Sequence, residues 1–267
     1  MQRKARQVFK ATTLTISAIA VIAAQSFMMP ASASTILPDS KPSNLVITKS
    51  TPTHTIFVRC KISPAKISIS KGSVLTLPNA LKDHKNDFAL VTAHGLKEGK
   101  DCDILDFHGN RRRVKKRIYA KGHEAGTNTD WAVVSFKPIK GEHIKRYNID
   151  NYVSDIDLLD SMTISFAQAR GLPQNNQTCR LAVVKVPMLK NNRSLFTHDC
   201  TVISGQSGSP LTQNVNGEDK LIGIHLGHMW TLYSPLTGSP GTLNYMRPFD
   251  KKMSNDIKSA IIQLQTK

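Results

Sequence analysis

Acidic side chains are in short supply in this chain: 19 Asp and Glu stand against 36 Lys and Arg in 267 residues, a formal charge of +17. That balance disfavours cationic partners and favours anionic ones. Aromatic residues are also few, with nine Phe, five Tyr and two Trp. So thin a supply argues against the stacking platforms that hold single-stranded nucleic acid, and no nucleic-acid partner is expected. Only four cysteines occur, Cys60, Cys102, Cys179 and Cys200, and no two of them form the C-x-x-C pairs of a zinc knuckle. Beyond the first thirty-odd residues no apolar run approaches the ~20 residues that cross a bilayer. Helical periodicity is missing until residue 253, which excludes a helical bundle.

The one apolar run lies at the start. Arg3, Lys4, Arg6 and Lys10 form a positive segment without acids, residues 14–24 are apolar, and Ala31-Ser32-Ala33 has the small-x-small pattern of a cleavage site. Residues 1–33 therefore read as a signal peptide cut after Ala33. An uncleaved anchor is the alternative, but Thr12, Thr13, Thr15, Ser17, Gln25 and Ser26 break up the run. The expected location is periplasmic or secreted, without stable membrane insertion after cleavage. Residues 34–54, rich in Pro, Ser and Thr, read as an N-terminal arm or propeptide. An even cysteine count in an exported chain points to disulfides, with three connectivities open.

Alternating or apolar stretches of strand length follow at residues 56–58, 67–69, 88–92, 114–119 and 131–136, then at 162–166, 181–186, around Leu211 and at 221–226. Met253, Ile257, Ala260, Ile261 and Leu264 recur at helical spacing after a candidate Ser254 cap. The polar residues 150–160 suit a crossover between two halves.

Three short motifs carry chemistry. Leu90-Val91-Thr92-Ala93-His94 runs an apolar strand into a histidine, and Asp130-Trp131-Ala132 opens another apolar strand with a carboxylate. Gly205-Gln206-Ser207-Gly208-Ser209-Pro210 sets a serine between glycines. A serine hydroxyl is a weak nucleophile at neutral pH and needs an imidazole to take its proton. A carboxylate must fix the tautomer of that imidazole, and preorganised donors must receive the oxyanion. The chain supplies histidine, aspartate and serine, in that order.

On these motifs the sequence, from about residue 55 onward, resembles the trypsin/chymotrypsin-like serine proteases, in their bacterial exported branch. The resemblance implies an all-β fold of two six-stranded antiparallel β-barrels packed together with a C-terminal α-helix: residues 55–148 for the first barrel, 149–250 for the second and 251–267 for the helix. It implies His94 as general base, Asp130 as its orienting carboxylate, Ser207 as nucleophile, and the Gly205 and Ser207 amides as oxyanion hole. Chain order within such a fold favours disulfides Cys60–Cys102 and Cys179–Cys200. The implied activity is that of a monomeric endopeptidase acting on protein or peptide through an acyl-enzyme, with no cofactor. The alternative is a catalytically silent protein of the same fold that binds an anionic surface or a protein partner through its basic face.

Two departures from digestive relatives stand out. Gln206 replaces the aspartate that pairs with a newly cut N-terminus there, and no Arg/Lys-[IV]-[IV]-G-G activation sequence is present. Thr201 stands six residues before the serine, where trypsin-like members hold an aspartate, so a preference for basic residues is not expected. Ile224-His225-Leu226-Gly227 resembles the segment of glutamyl endopeptidases whose histidine binds an acidic side chain, although Val202 replaces a hydroxyl residue and His228 a small one. Thr201, Val202, His225, Gly227 and His228 are accordingly the candidate substrate-binding residues, for an acidic or a small apolar side chain. A neutral, packed His225 is the other reading. His225 and His228 as metal ligands are not expected, since a strand turns residues three apart to opposite faces. His54, His84, His108, His123, His143 and His198 sit in polar contexts and read as solvated. The densest basic run, from Arg111 to Arg117, reads as a solvated hairpin with Val114 and Ile118 facing inward.

Overall fold

The computed structural model describes residues 55–81, 85–97, 101–106, 109–140, 144–152, 162–167, 174–184, 195–231 and 240–266. The expected signal peptide, the 34–54 arm, His54, His84, His108 and His143, the last two residues of the 181–186 stretch (Lys185 and Val186) and most of the 150–160 crossover lie outside them.

The first half contributes β1 (Ile56–Ser63), β2 (Lys66–Thr76), β3 (Asp87–Val91), the short α1 (Ala93–Lys97), β4 (Asp101–Leu105), β5 (Arg111–Tyr119), β6 (Ala132–Phe136) and β7 (Arg146–Asn148). Six of these strands run β1-β4-β5-β6-β3-β2, and β2 pairs back onto β1, so the sheet closes into the expected antiparallel barrel. β7 is an addition, parallel to β2 on its far side. The interior is filled by Ile56, Val58, Val74, Ala89, Val91, Ala132, Val134 and Phe136, the inward-facing alternate residues of their strands. Cys60 and Cys102 lie directly opposite in the β1–β4 register, with Cα atoms 4.1 Å apart, and are bridged.

The second half contributes β8 (Met162–Ala167), β9 (Gln174–Cys179), β10 (Leu181–Val184), β11 (Leu195–His198), β12 (Pro210–Val215), β13 (Glu218–Thr231) and β14 (Gly241–Pro248). Their order is β10-β11-β14-β13-β12-β8-β9. The two edge strands are consecutive in the chain, separated only by Arg180. The ends of the sheet therefore meet through the backbone, and β9 with β10 acts as one bent strand that pairs β8 by its first part and β11 by its second. This sheet curls into a half-barrel around a core of Met162, Ile164, Leu211, Ile222 and Met246 without a strand pairing that closes it. The Cys179–Cys200 disulfide pins that corner.

Why β3 and β6 read as unbroken apolar runs is now clear: both their faces are covered. Phe88, Leu90 and Val133 point away from the first barrel's interior into a cluster shared with Leu221, Ile224 and Leu226 of β13, with Phe249, and with the helix α2 (Lys251–Thr266). The α2 residues in that cluster, Met253, Ile257, Ala260, Ile261 and Leu264, are those of the helical pattern. The cap differs from expectation. Asp250 Oδ1 accepts the Met253 amide at 2.7 Å, the N-cap bond, while Ser254 is buried and its hydroxyl donates to the Ile149 carbonyl.

The basic run is solvated as expected, with Arg111, Arg113 and Lys115 exposed, and its side chains find partners at the surface. Arg111 pairs with Asp103 at 2.6 Å, Arg112 with Asp106 and Arg113 with Asp101. Lys115 reaches Asn86, Lys116 the carbonyl of Leu264, and Arg117 the carbonyl of Leu96. A bulge between Val114 and Lys116 also shifts the alternation, so Val114 packs on the barrel interior and Ile118 on the shared cluster.

Candidate active site

The sheet register brings His94 and Asp130 together. β3 ends at Val91 opposite Ala132 at the start of β6. Three residues on, in α1, stands His94; two residues before Ala132 stands Asp130, fully buried. Asp130 Oδ1 accepts the His94 amide at 2.9 Å. Its Oδ2 takes the Gly126 amide at 2.6 Å and lies 2.7 Å from His94 Nδ1. An ionised carboxylate offers only acceptors, so the ring proton sits on Nδ1 and leaves a lone pair on Nε2.

Ser207 lies in the loop that enters β12. Its carbonyl accepts the amide of Lys71 in β2 at 2.7 Å, tying this second-half loop to the first barrel. Gly208 donates to the His225 carbonyl at 2.7 Å, and the His225 amide donates to Ser209 at 2.9 Å. Gly208 has φ +89, and a Cβ there would lie 2.1 Å from the Lys71 carbonyl oxygen, so no other residue fits this approach. The buried Gln206 takes the Ile203 amide on Oε1 at 3.0 Å, bracing the loop from within where digestive relatives use an ion pair.

The amides of Gln206, Gly208 and Ser209 all donate within this network. Those of Gly205 and Ser207 make no bond to a described residue and stay available, Gly205 being held at φ +86. Two unspent donors flanking a serine are what an oxyanion requires. Ser207 Oγ bonds no described residue, so the structure joins His94 to Asp130 by a hydrogen bond but does not join Ser207 to His94 by one.

The candidate substrate-binding residues divide. Thr201 and His228 are exposed and Gly227 is half-buried, whereas Val202 packs against the second barrel's core. His225 is 2% exposed, and its Nδ1 lies 3.1 Å from Nε2 of His198. The solvated reading of His198 does not hold. It is fully buried on β11, a strand of only four residues, and its ring lies edge-to-face with the His225 ring. Burial pushes the His198 pKa down to about 3 against the pull of Asp199. Burial, then the neighbouring His198, His228 and His94, hold His225 well below the ordinary imidazole value. Of the other histidines, His123 is half-buried and stacks on Tyr119.

Two buried neutral imidazoles make the fold acid-sensitive. The unfolded chain takes up protons at these sites near pH 6.5, while the folded chain refuses them until about pH 3 in the case of His198. Their stability contribution is thus full above the unfolded value and declines as pH falls between those limits, by up to about 1.4 kcal/mol per pH unit per site. Melting temperature measured from pH 7.5 to 4 should drop steeply, and His198→Gln, which cannot titrate, should flatten the drop. An unchanged slope in that variant would remove His198 from the account.

Further residues contribute that sequence reasoning passed over: Gly126, and Tyr245 and Arg247 on β14. Arg247 Nε donates to the Asn128 carbonyl at 2.9 Å, across from one barrel to the loop of the other. No sequence signal marks them, since their roles depend on a strand pairing that the polar run of β14 conceals. Among the described residues no cluster of three or more His, Cys, Asp or Glu is placed to hold a metal ion.

No protein-family model matches the sequence, and comparison with curated proteins gives no match. Among solved structures, the crystal structure of the protease Anisep from Arthrobacter nicotinovorans is similar to this chain, with a TM-score of 0.53 at 13% identity, covering 80% of this chain and 98% of that one. A likeness at that identity speaks to architecture, and together with the two barrels and terminal helix it establishes that this chain has a chymotrypsin-like protease fold.

Proposed function

We propose that this protein is an exported serine endopeptidase, periplasmic or secreted, that cleaves peptide bonds through an acyl-enzyme on Ser207. The reading is carried by one observation: a buried Asp130 holds His94 through Nδ1 in the first barrel, while the Ser207 loop is bonded to that barrel through Lys71 and its Gly205 and Ser207 amides bond no described residue. His94 Nε2 takes the hydroxyl proton as Ser207 attacks the carbonyl carbon. The two amides stabilise the oxyanion, and His94 returns the proton to the leaving amine. Water then enters by the same route and releases the acid product. The two disulfides support export.

Specificity is read from the candidate substrate-binding residues themselves. Thr201 carries no charge, so basic side chains gain nothing there. His225 Nδ1 faces His198, which leaves Nε2 for a ligand. A small apolar side chain suits this neutral, buried pair as it stands. If His198 donates to Nδ1, a neutral His225 carries its proton on Nε2 and can donate it to an acidic side chain. An imidazolium would bind that carboxylate more strongly, so acidic substrates should gain on apolar ones as pH falls.

The test of the reaction class is intact mass after exposure of the mature protein to a fluorophosphonate. One adduct on the wild type and none on Ser207→Ala is the expected result. A folded wild-type protein that gains no mass would overturn the proposal.

A further inference from the structure

The carboxylate end of the site depends on the second barrel. On β14, Tyr245 and Arg247 are two residues apart and so share a face. Both meet the turn that precedes Asp130. Arg247 is 6% exposed and bonds the Asn128 carbonyl through Nε, while its Nη1 bonds the Pro248 carbonyl at 2.7 Å and Asp250 Oδ2 at 2.9 Å, which fixes the guanidinium at the head of α2. The Tyr245 hydroxyl lies 2.9 Å from where a Cβ would stand on Gly126, and equally 2.9 Å from one on Gly227. The absence of side chains at these two glycines is what admits the hydroxyl between the turn and β13. Gly126 is the residue whose amide donates to Asp130 Oδ2. Burial, then the charge of Asp130, raise the Tyr245 pKa, so the hydroxyl stays protonated beside that carboxylate.

We infer that Tyr245 and Arg247 are positioning residues that hold the Gly126–Asn128 turn against the second barrel, and through the Gly126 amide set the orientation of Asp130 toward His94. The inference rests on the serine peptidase reading for its functional meaning, though not for its geometry. The turn has its own bonds, Asp130 N to the Thr127 carbonyl and the Thr129 hydroxyl to the Gly122 carbonyl. These shape it locally, Asp130 ties it to the first barrel through the Gly126 and His94 amides, and Arg247 and the Tyr245 hydroxyl against Gly126 tie it to the second.

The experiment compares wild type with Tyr245→Phe and Arg247→Gln. Two things are measured: the low-field proton resonance and titration of the His94 imidazole by NMR, and kcat against KM over a pH series. The expected result is a kcat lowered ten-fold or more, up to about a hundred-fold, at nearly constant KM. The Nδ1 proton resonance should move upfield or broaden, and the His94 titration should shift to lower pH, because an ill-placed Asp130 supports the imidazolium less well. Variants that lose melting temperature alone, with resonance, titration and kcat as in wild type, would show the two residues to be structural props and sink the inference. Should Arg247→Gln fail to fold, Tyr245→Phe, which keeps the ring, decides the matter alone. The NMR readout does not require turnover. A wild type unreactive to fluorophosphonate whose His94 resonance still shifts in the variants would refute the peptidase reading and leave the positioning role standing.

Discussion

Replacing His94 by alanine should lower kcat for peptide hydrolysis about a million-fold, as much as removing Ser207 itself, because the pair acts as a unit. Without the imidazole the hydroxyl keeps its proton at neutral pH, and the leaving amine has no acid to receive one from. The remaining rate would come from binding and from the Gly205 and Ser207 amides. Stability should change little by comparison. The His94 side chain is 32% exposed, and Asp130 keeps the amides of residue 94 and Gly126 as donors. The measurement is single-turnover hydrolysis of an activated ester alongside peptide cleavage, with melting temperature as the control for folding. Peptide turnover within ten-fold of wild type in a clean His94→Ala preparation would mean that the base is elsewhere.

Asp130→Asn is the second large effect, expected at about ten-thousand-fold in kcat. The local geometry explains why so small a change cannot be absorbed. Three donors converge on this carboxylate, with the His94 amide on Oδ1 and both the Gly126 amide and His94 Nδ1 on Oδ2. An asparagine has one oxygen and one NH2 group. If its NH2 takes the Oδ2 position it opposes the Gly126 amide and forces His94 Nδ1 to become the acceptor, which moves the proton to Nε2 and leaves that nitrogen unable to act as a base. If it takes the Oδ1 position it opposes the His94 amide. Each orientation leaves a buried donor unsatisfied, at a cost of about 1–3 kcal/mol. The variant should therefore also melt lower than wild type. Its activity should recover in part at high pH, where hydroxide can deprotonate Ser207 without His94. A flat pH profile with near-normal kcat would exclude Asp130 from the mechanism.

Two of the three candidate side chains are legible because they flank apolar strands: the run at 88–91 ends just before His94 and the run at 132–136 begins just after Asp130. Ser207 is legible only through its glycine-flanked motif, since the β12 strand that follows is mostly polar. The terminal helix is legible because one of its faces is apolar and the pattern has no competitor. The disulfides follow once the chain is divided into two halves.

What escapes detection is polar and held by pairing. β9 is Gln-Asn-Asn-Gln-Thr-Cys, and β14 carries Gly, Thr, Asn and Arg. β9 shows no strand propensity, and in β14 the strand-favouring Thr242 and Tyr245 are interrupted by Gly, Asn, Arg and Pro; both are completed by pairing with their neighbours. With these strands hidden, so is everything mounted beside them: His198 behind His225, and Tyr245 and Arg247 beside Asp130. Ser254 resembles a helix cap because a short polar residue before an apolar stripe suits both a cap and a buried hydroxyl. The bond to Ile149 decides between them.

The shared cluster also sets a schedule. Leu75, Phe88 and Val133 of the first barrel, Leu221 and Ile224 of the second, and five residues of α2 bury one another. Lys116 and the Leu81 carbonyl reach the far end of the same helix. Of all the described elements α2 is the last to leave the ribosome. Until it arrives, the apolar backs of β3 and β13 face water, the contacts that bring the Lys71 strand to the Ser207 loop lack their support, and the Arg247–Asp250 end of the clamp has no helix to cap. The two halves that carry His94, Asp130 and Ser207 thus lack their shared apolar joint until the helix docks, and α2 is the piece that closes it.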